Sequence, residues 1–350
     1  MGFTYTDLND LLAMTREKYP DGGKWVDLSS TSVQEYLAAP KLLKENKRKV
    51  TSGDYIAWPV QTDMGDDGGD MGLYEEVTPT QNNQMANAQI RWGGIHAGSG
   101  YDLIEMQQNA QSETRIVDLI KARRHGMRTK LYSLAEDRFW NAETTDGGKR
   151  PYSLFYWLRY AATAPTTGAF SGAYPFSGTT IAGITHARMC NWTDVYAAVS
   201  TTDLLAQLRE AAFKCHFSPV PDPSILNTAD QRYEIFCDWP EFDAITQLAE
   251  SRNENLGTDL NKMNGRVTFG GGVFTPVPSA AAITTWAARN PFFMVDWSVM
   301  EAVFLEGFDE SETTFQPEKA QPNVVGVRAQ SVYNLRCLDP SRLAVISLTY

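Results

Sequence analysis

The sequence predicts an α+β fold, and three stretches carry that prediction. Ile116, Leu119, Ile120, Met127, Leu131, Leu134 and Phe139 recur at three- and four-residue steps, the spacing of one apolar helix stripe. Between residues 50 and 100, strand-like alternation flanks a turn-rich centre, which reads as a long two-stranded excursion. Beyond residue 200, helical periodicity is mixed with short apolar runs of the kind that form buried strands.

Residues 1–50 read as an extended arm carrying short helices. Thr6 or Asp7 caps a helix over 8–18, and Tyr19-Pro20-Asp21-Gly22-Gly23 ends it. Ser32 with Glu35 makes a capping box for a second helix over 33–47, kinked or divided at Pro40. The arm is polar and interrupted, so it cannot close a core of its own and is expected to lie across other surfaces.

The excursion follows over 51–100. Tyr55, Ala57 and Val60 surround Trp58-Pro59 in one strand-like run, and alternation resumes from Ala88 to Trp92. Its tip is Met64-Gly65-Asp66-Asp67-Gly68-Gly69-Asp70-Met71-Gly72. From Val50 to Ile90 there are seven acids (Asp54, Asp63, Asp66, Asp67, Asp70, Glu75 and Glu76) and no Lys or Arg. A loop of this kind is poor core material and suits a partner of opposite sign.

The long helix is expected over 103–141, and about 35 helical residues would span roughly 50 Å. Its polar face holds Lys121, Arg123, Arg124, Arg128 and Lys130 with His125, and no acid lies between 121 and 130. Gly126 weakens its middle by about 1 kcal/mol relative to Ala. The aromatic, Gly-rich and Thr-rich stretch 150–190 reads as loops. Helices are then expected over 202–213 and 242–252. Strands are expected at 233–237, 267–269, 272–277, 292–297, 324–330 and 343–348.

Composition excludes several functions. The chain has 350 residues and a net charge of -11, with 31 Lys+Arg against 42 Asp+Glu. Phosphate binding through basic contacts is therefore not its main business. Cys190, Cys215, Cys237 and Cys337 are widely spaced, which disfavours zinc and redox sites and leaves buried free thiols. No run of about 18 apolar residues is present, and the first residues do not have the pattern of a secretory signal. Gly270-Gly271-Gly272 lacks the Lys-Ser or Lys-Thr of a phosphate loop and reads as a strand bend or bulge. His96, His125, His186 and His216 are scattered, and the acids of 63–70 lack the order of a calcium loop. No catalytic, cofactor-binding or metal-ligating set is expected. The Asn191-Trp192-Thr193 sequon is short enough to be fortuitous.

The order of these segments resembles the major capsid proteins of tailed double-stranded DNA bacteriophages, with the Hong Kong 97-type fold. The acidic excursion after an arm is similar to that family's extended E-loop. DLIKARRHGMRTKLYSLAEDRFWN (118–141) is similar to its spine helix. IAGITHARMCNWTDVY running into TTDLLAQLREAAFKC is similar to its passage from peripheral to axial domain. NVVGVRAQSVYNLRCLDPSRLAVISL (323–348) is similar to its closing strands.

The resemblance implies an N-terminal arm over 1–50, an E-loop hairpin over 51–100, a peripheral domain with the spine helix over 101–190 and an axial domain over 191–299. Residues 300–350 would return to the peripheral domain. It implies a structural, non-enzymatic subunit of hexamers and pentamers in an icosahedral head. That head would enclose double-stranded DNA without sequence-specific binding, and would be built in the bacterial cytoplasm with no membrane. A portal protein, a separate scaffolding protein and a decoration or cement protein are the further partners implied. Some members cross-link a Lys of the loop to a neighbour's Asn. No Lys lies between Lys49 and Lys121, so the shell is expected to be non-covalent.

For inter-subunit contacts the residues themselves suggest acid against base. Asp63, Asp66, Asp67, Asp70, Glu75 and Glu76 would meet Lys121, Arg123, Arg124, Arg128 and Lys130 of a neighbour, with Trp58, Tyr74 and Trp92 as anchors. Exposed ion pairs contribute only about 0.2–1 kcal/mol each, so they set register while apolar burial supplies affinity. The rival readings are an encapsulin-like compartment, another virion protein, and a carbohydrate-active hydrolase drawing on the 9 Trp and 15 Tyr.

Overall fold

A computed structural model describes residues 38–42, 47–61, 70, 73, 85–102, 104, 113–141, 149–158, 168–170, 180–185, 189–216, 232–250, 267–269, 272–277, 290–315 and 324–348. The helix expected over 8–18 lies outside them. In chain order the elements begin with the helical turn α1 (Ala38–Pro40), then strands β1 (Lys47–Val50), β2 (Ile56–Gln61), β3 (Met85–Ile90) and β4 (Gly93–Asp102). The long helix α2 (Glu113–Trp140) and the short α3 (Leu154–Trp157) follow, with β5 (Ala169–Phe170), β6 (Thr180–Ile181), β7 (Ile184–Thr185) and β8 (Trp192–Tyr196). Next come α4 (Leu204–Lys214), β9 (Tyr233–Cys237), α5 (Trp239–Glu250), β10 (Thr268–Phe269) and β11 (Gly272–Pro276). The chain continues with β12 (Phe292–Asp296), β13 (Met300–Leu305), β14 (Ser311–Phe315), β15 (Val324–Cys337) and β16 (Ala344–Leu348).

Two compact units emerge. One comprises residues 1–39, 95–136 and 310–331, and the other residues 40–94, 137–309 and 332–350. In the first, β14 runs antiparallel to the opening half of β15. The helix α2 is described over 28 residues; of the rest of the expected 103–141, Ile104 is helical and 105–112 lie outside the described residues. Met127, Leu131 and Ala135 are buried at four-residue steps along it. Buried Glu136 accepts from the backbone N–H of Ala38 (3.0 Å) and Ala39 (2.7 Å) of α1. Residues 41–42 continue that turn as a π-helical turn, and by Lys47 the chain is a strand. The helix expected over 33–47 therefore runs on through Pro40 but does not include Lys47; residues 33–37 and 43–46 lie outside the described ones.

The second unit is organised by a seven-stranded mixed sheet of order β10-β11-β9-β12-β16-β8-β5. β9 and β12 are buried at every position, as strands covered on both faces must be. On one face Ile235, Cys237, Phe292, Met294, Ala344 and Ile346 pack with Leu204, Leu208 and Ala211 of α4 and Ile245 of α5. On the other, Phe139 and Trp140 at the end of α2 meet Phe236 and Trp297. The Trp140–Phe236 centroids are 5.1 Å apart and the Phe139–Trp297 centroids 5.9 Å.

Phe269 pairs antiparallel with Gly272, the first residue of β11, while Gly270 and Gly271 of the glycine run lie outside the described residues. Within 300–350, β13, β14 and β15 belong to one sheet, and β16 lies in the seven-stranded sheet between β12 and β8. The sequon is buried, with Asn191 at 0% exposure. β1, β8, β13 and β14 are strands that periodicity did not predict.

Candidate assembly surface

The excursion is a true antiparallel hairpin in the described residues, β2 pairing β3 from Ile56↔Ile90 to Gln61↔Met85. Its root is fixed by polar bonds as well as by packing. Asn334, fully buried on β15, uses its side-chain oxygen to accept from Tyr152 N–H (2.6 Å) and Leu335 N–H (2.8 Å). Its amide donates to the Arg91 carbonyl at 2.6 Å. Gly93 fits beside this junction because a Cβ there would come within 2.4 Å of the Pro151 backbone nitrogen. The Arg91 guanidinium lies over the Tyr152 ring at 5.1 Å.

A second, smaller hairpin braces the first. Ala182 and Gly183 both have positive φ (51° and 83°), the turn that joins β6 to β7. The Ala182 carbonyl accepts from Gln89 N–H at 2.8 Å, and its own N–H donates to the Tyr156 hydroxyl at 3.2 Å.

The expected contact residues divide into groups. Trp58 is not a free anchor. It is 6% exposed and packs inside its own chain, 6.3 Å from the Trp157 ring and under the Arg336 guanidinium. Alternation along β2 turns Ile56 and Trp58 inward together. Trp92 is half-buried and donates from its indole to the Gly53 carbonyl at 2.7 Å. Asp70 is exposed. Asp63, Asp66, Asp67, Tyr74, Glu75, Glu76 and the side chain of Lys121 lie outside the described residues.

The basic row of α2 is partly engaged within its own chain. Glu312 on β14 takes Arg124 at 2.8 Å and Arg128 at 3.2 Å, with both cations more than half exposed. Arg123 donates to the Gly100 carbonyl at 3.1 Å, and Lys130 is exposed. Sequence reading missed Glu312, which sits in a polar strand with no apolar period to reveal it. It missed Asn334 too, although an amide at an inward strand position is a visible signal.

A second basic strip lies on β1. Lys47 and Lys49 both reach Asp309, Lys49 at 3.0 Å, while Arg48 is exposed. Burial acts to raise the Asp309 carboxyl, but the bonds from Lys47 and Lys49 outweigh it and hold the group below the usual carboxylate range. Elsewhere burial pushes the Cys215 thiol up to about 12 and also raises Cys237 and Cys337, which keeps them inert. Among the described residues, no cluster of three or more His, Cys, Asp or Glu is placed to hold a metal ion. Among them, too, no helix is long and apolar enough to cross a membrane.

No protein-family model matches the chain, and no curated protein does. Solved structures match it end to end. A chain of the cyanophage A-1(L) capsid asymmetric unit is 13% identical, covering 98% of this chain and 99% of that one, with a TM-score of 0.58. A chain from the capsid of a native GTA particle is 12% identical over 95% of each chain, with a TM-score of 0.53. A chain from the capsid of Myoviridae phage XM1 is 8% identical, covering 100% and 99%, with a TM-score of 0.51.

Proposed function

From a fold shared with phage capsid proteins, we propose that this chain is a major capsid subunit of a tailed phage. It acts as a structural protein and not as an enzyme, assembling through hexamers and pentamers into an icosahedral head around double-stranded DNA. The observation that carries the reading is the end-to-end coincidence of the fold with shell subunits. The rooted hairpin supports it, since its outer edges are left for contacts with other copies.

The working site is the virion, with assembly in the host cytoplasm. A portal protein, a separate scaffolding protein and a decoration or cement protein complete the particle, and the DNA is enclosed without sequence-specific binding. The acidic tip of the excursion meets the basic row of α2 on a neighbour. Glu312 already balances part of that row, so the contact sets register and adds little affinity.

Electron microscopy of the purified recombinant chain tests the reading. Closed particles are expected. Monomers or open tubes sink it, and a co-purifying cargo enzyme in place of DNA points to a compartment instead. Reversing Arg123, Arg124 and Arg128 to Glu should lower particle yield and shift its salt dependence. Unchanged yield and salt tolerance would remove the α2 contact from the scheme.

A further inference from the structure

The sheet formed by β14, β15 and β4 has two unlike faces. β15 runs between the other two strands. A Cβ on Gly100 would stand 3.5 Å from Val324 Cγ1, and one on Gly94 would stand 4.0 Å from Val332 Cγ2. β4 and β15 are therefore antiparallel, with their even-numbered residues on one common face. On β14, Ser311 is opposite Gln330 and Thr313 is opposite Arg328, so both belong to that face as well. Glu312 belongs to the other face, where it meets Arg124 and Arg128 of α2. Ile95, Ala97 and Ala329 are buried on that α2 side, which is thereby closed.

The face away from α2 carries Ser311, Thr313, Arg328, Gln330 and His96. All five side chains can donate hydrogen bonds, and Arg328 is a permanent cation. His96, Thr313 and Gly98 are exposed, with Ser311, Arg328 and Gln330 half-buried beside them. Gly98 shares this face next to Arg328 and has no side chain, so a ligand can come close to the guanidinium. Two atoms here are orphans: Ser311 Oγ and Arg328 Nε are both buried and have no hydrogen-bond partner. Buried polar atoms normally have partners, so two orphans on adjacent strands call for a missing one. Their positions are diagonal neighbours, roughly 7–8 Å apart by ladder geometry. Asp102, the acid of β4 on this face, is four positions beyond Gly98 and accepts from Ile104 N–H. A cation among neutral donors, with no acid beside it among the described residues, fits an anion.

We propose that this open face binds a phosphate-type oxyanion at Arg328. The guanidinium fork takes two of its oxygens, and the Ser311 hydroxyl and Gln330 amide donate to the others. His96 and Thr313 form the rim. A free phosphate ion and the backbone phosphate of a nucleic acid present the same chemistry to these groups. One cation per chain makes each site weak and sensitive to salt. It leaves the chain a poor nucleic-acid binder as a whole, in keeping with its net charge of -11. The site stands apart from the shell reading and does not depend on it.

Phosphorus NMR of inorganic phosphate with the full chain, at constant ionic strength, tests the site. The wild-type chain should broaden the phosphate line. Arg328→Gln should weaken binding about tenfold or more, the usual loss for a hydrogen bond to a charged group. Thr313→Glu is the second variant. Its position is exposed, so the thermal melt should stay close to wild type, while the new carboxylate occupies Arg328 and removes the broadening. A short DNA duplex then separates the two sources. Displacement of phosphate by the duplex identifies a backbone phosphate as the ligand, and failure to displace identifies the free ion. Broadening that is equal in wild type, Arg328→Gln and Thr313→Glu, or absent from all three, overturns the site whether or not the chain forms shells.

Discussion

The seven-stranded sheet and the β2–β3 hairpin are both lined by apolar side chains at alternate positions, yet they finish differently. In the sheet, β9 and β12 have strands on both sides and side-chain cover on both faces. In the hairpin, burial is confined to Ile56, Trp58, Ala88 and Ile90, nearest the root, and fades toward Gln61 and Met85. The sheet satisfies its own backbone, which gives the unit its stability. The hairpin is bolted at one end by Asn334 and Gly93 and is exposed at the other, at Gln61 and Met85. Fixing the root orders the exposed end before any partner arrives, which lowers the entropy lost on contact.

Three substitutions can break or sharpen this contrast. The largest effect is expected from Phe236→Ala, which removes a ring packed against Trp140 at 5.1 Å and Trp297 at 6.2 Å. Loss of a buried Phe costs about 3–5 kcal/mol, read as a lower denaturant midpoint for the whole unit. A loss below about 1 kcal/mol would mean that the sheet is not its stabilising centre.

Asn334→Ala comes next. It strands the Tyr152 and Leu335 donors and the Arg91 carbonyl in the interior, at about 1–3 kcal/mol. Amide hydrogen exchange should quicken at the hairpin root before the sheet responds. Simultaneous loss of protection in both regions would erase the distinction drawn between them.

The smallest effect concerns Asp194 on β8. Burial raises its carboxyl above the usual range, the Val195 and Gly168 backbone bonds oppose this, and Glu210 and Asp203 add repulsion. With the folded value above the unfolded one, its charge weakens the fold progressively as pH climbs through that interval. Asp194→Asn should therefore melt increasingly above wild type as pH rises from about 3 toward neutrality. A gap between the two melting curves that is independent of pH would contradict the assignment.

How much of this was legible depended on where each residue's partners lie. Tyr233–Cys237 and the helix at Leu204–Lys214 were readable because a run of apolar residues, or one clean stripe, is a local signal. Lys47–Val50 was not, since nothing in Lys-Arg-Lys-Val favours a strand except the edge of β13 some 250 residues away. Trp192–Tyr196 hides a buried Asp and Thr among apolar positions, which blurs any period. At the candidate surface, charge sign was visible but pairing was not. Arg124 and Arg128 looked free until Glu312 was placed beside them. Trp58 looked like an anchor because side-chain size is written in the sequence and direction is not.

The position of β16 has a consequence for the timing of biosynthesis. Among the described residues it is the one strand joining the β10-β11-β9-β12 block to the β8-β5 pair, and it aligns Ala344 beside Trp192. On a translating ribosome, Trp192 waits for its neighbour while about 150 further residues are made, roughly ten seconds or more at ordinary elongation rates. Throughout that interval β8 has no central strand to join. The described sheet is therefore completed only after residue 348 has been made, and until then the β8 edge is left without its central neighbour.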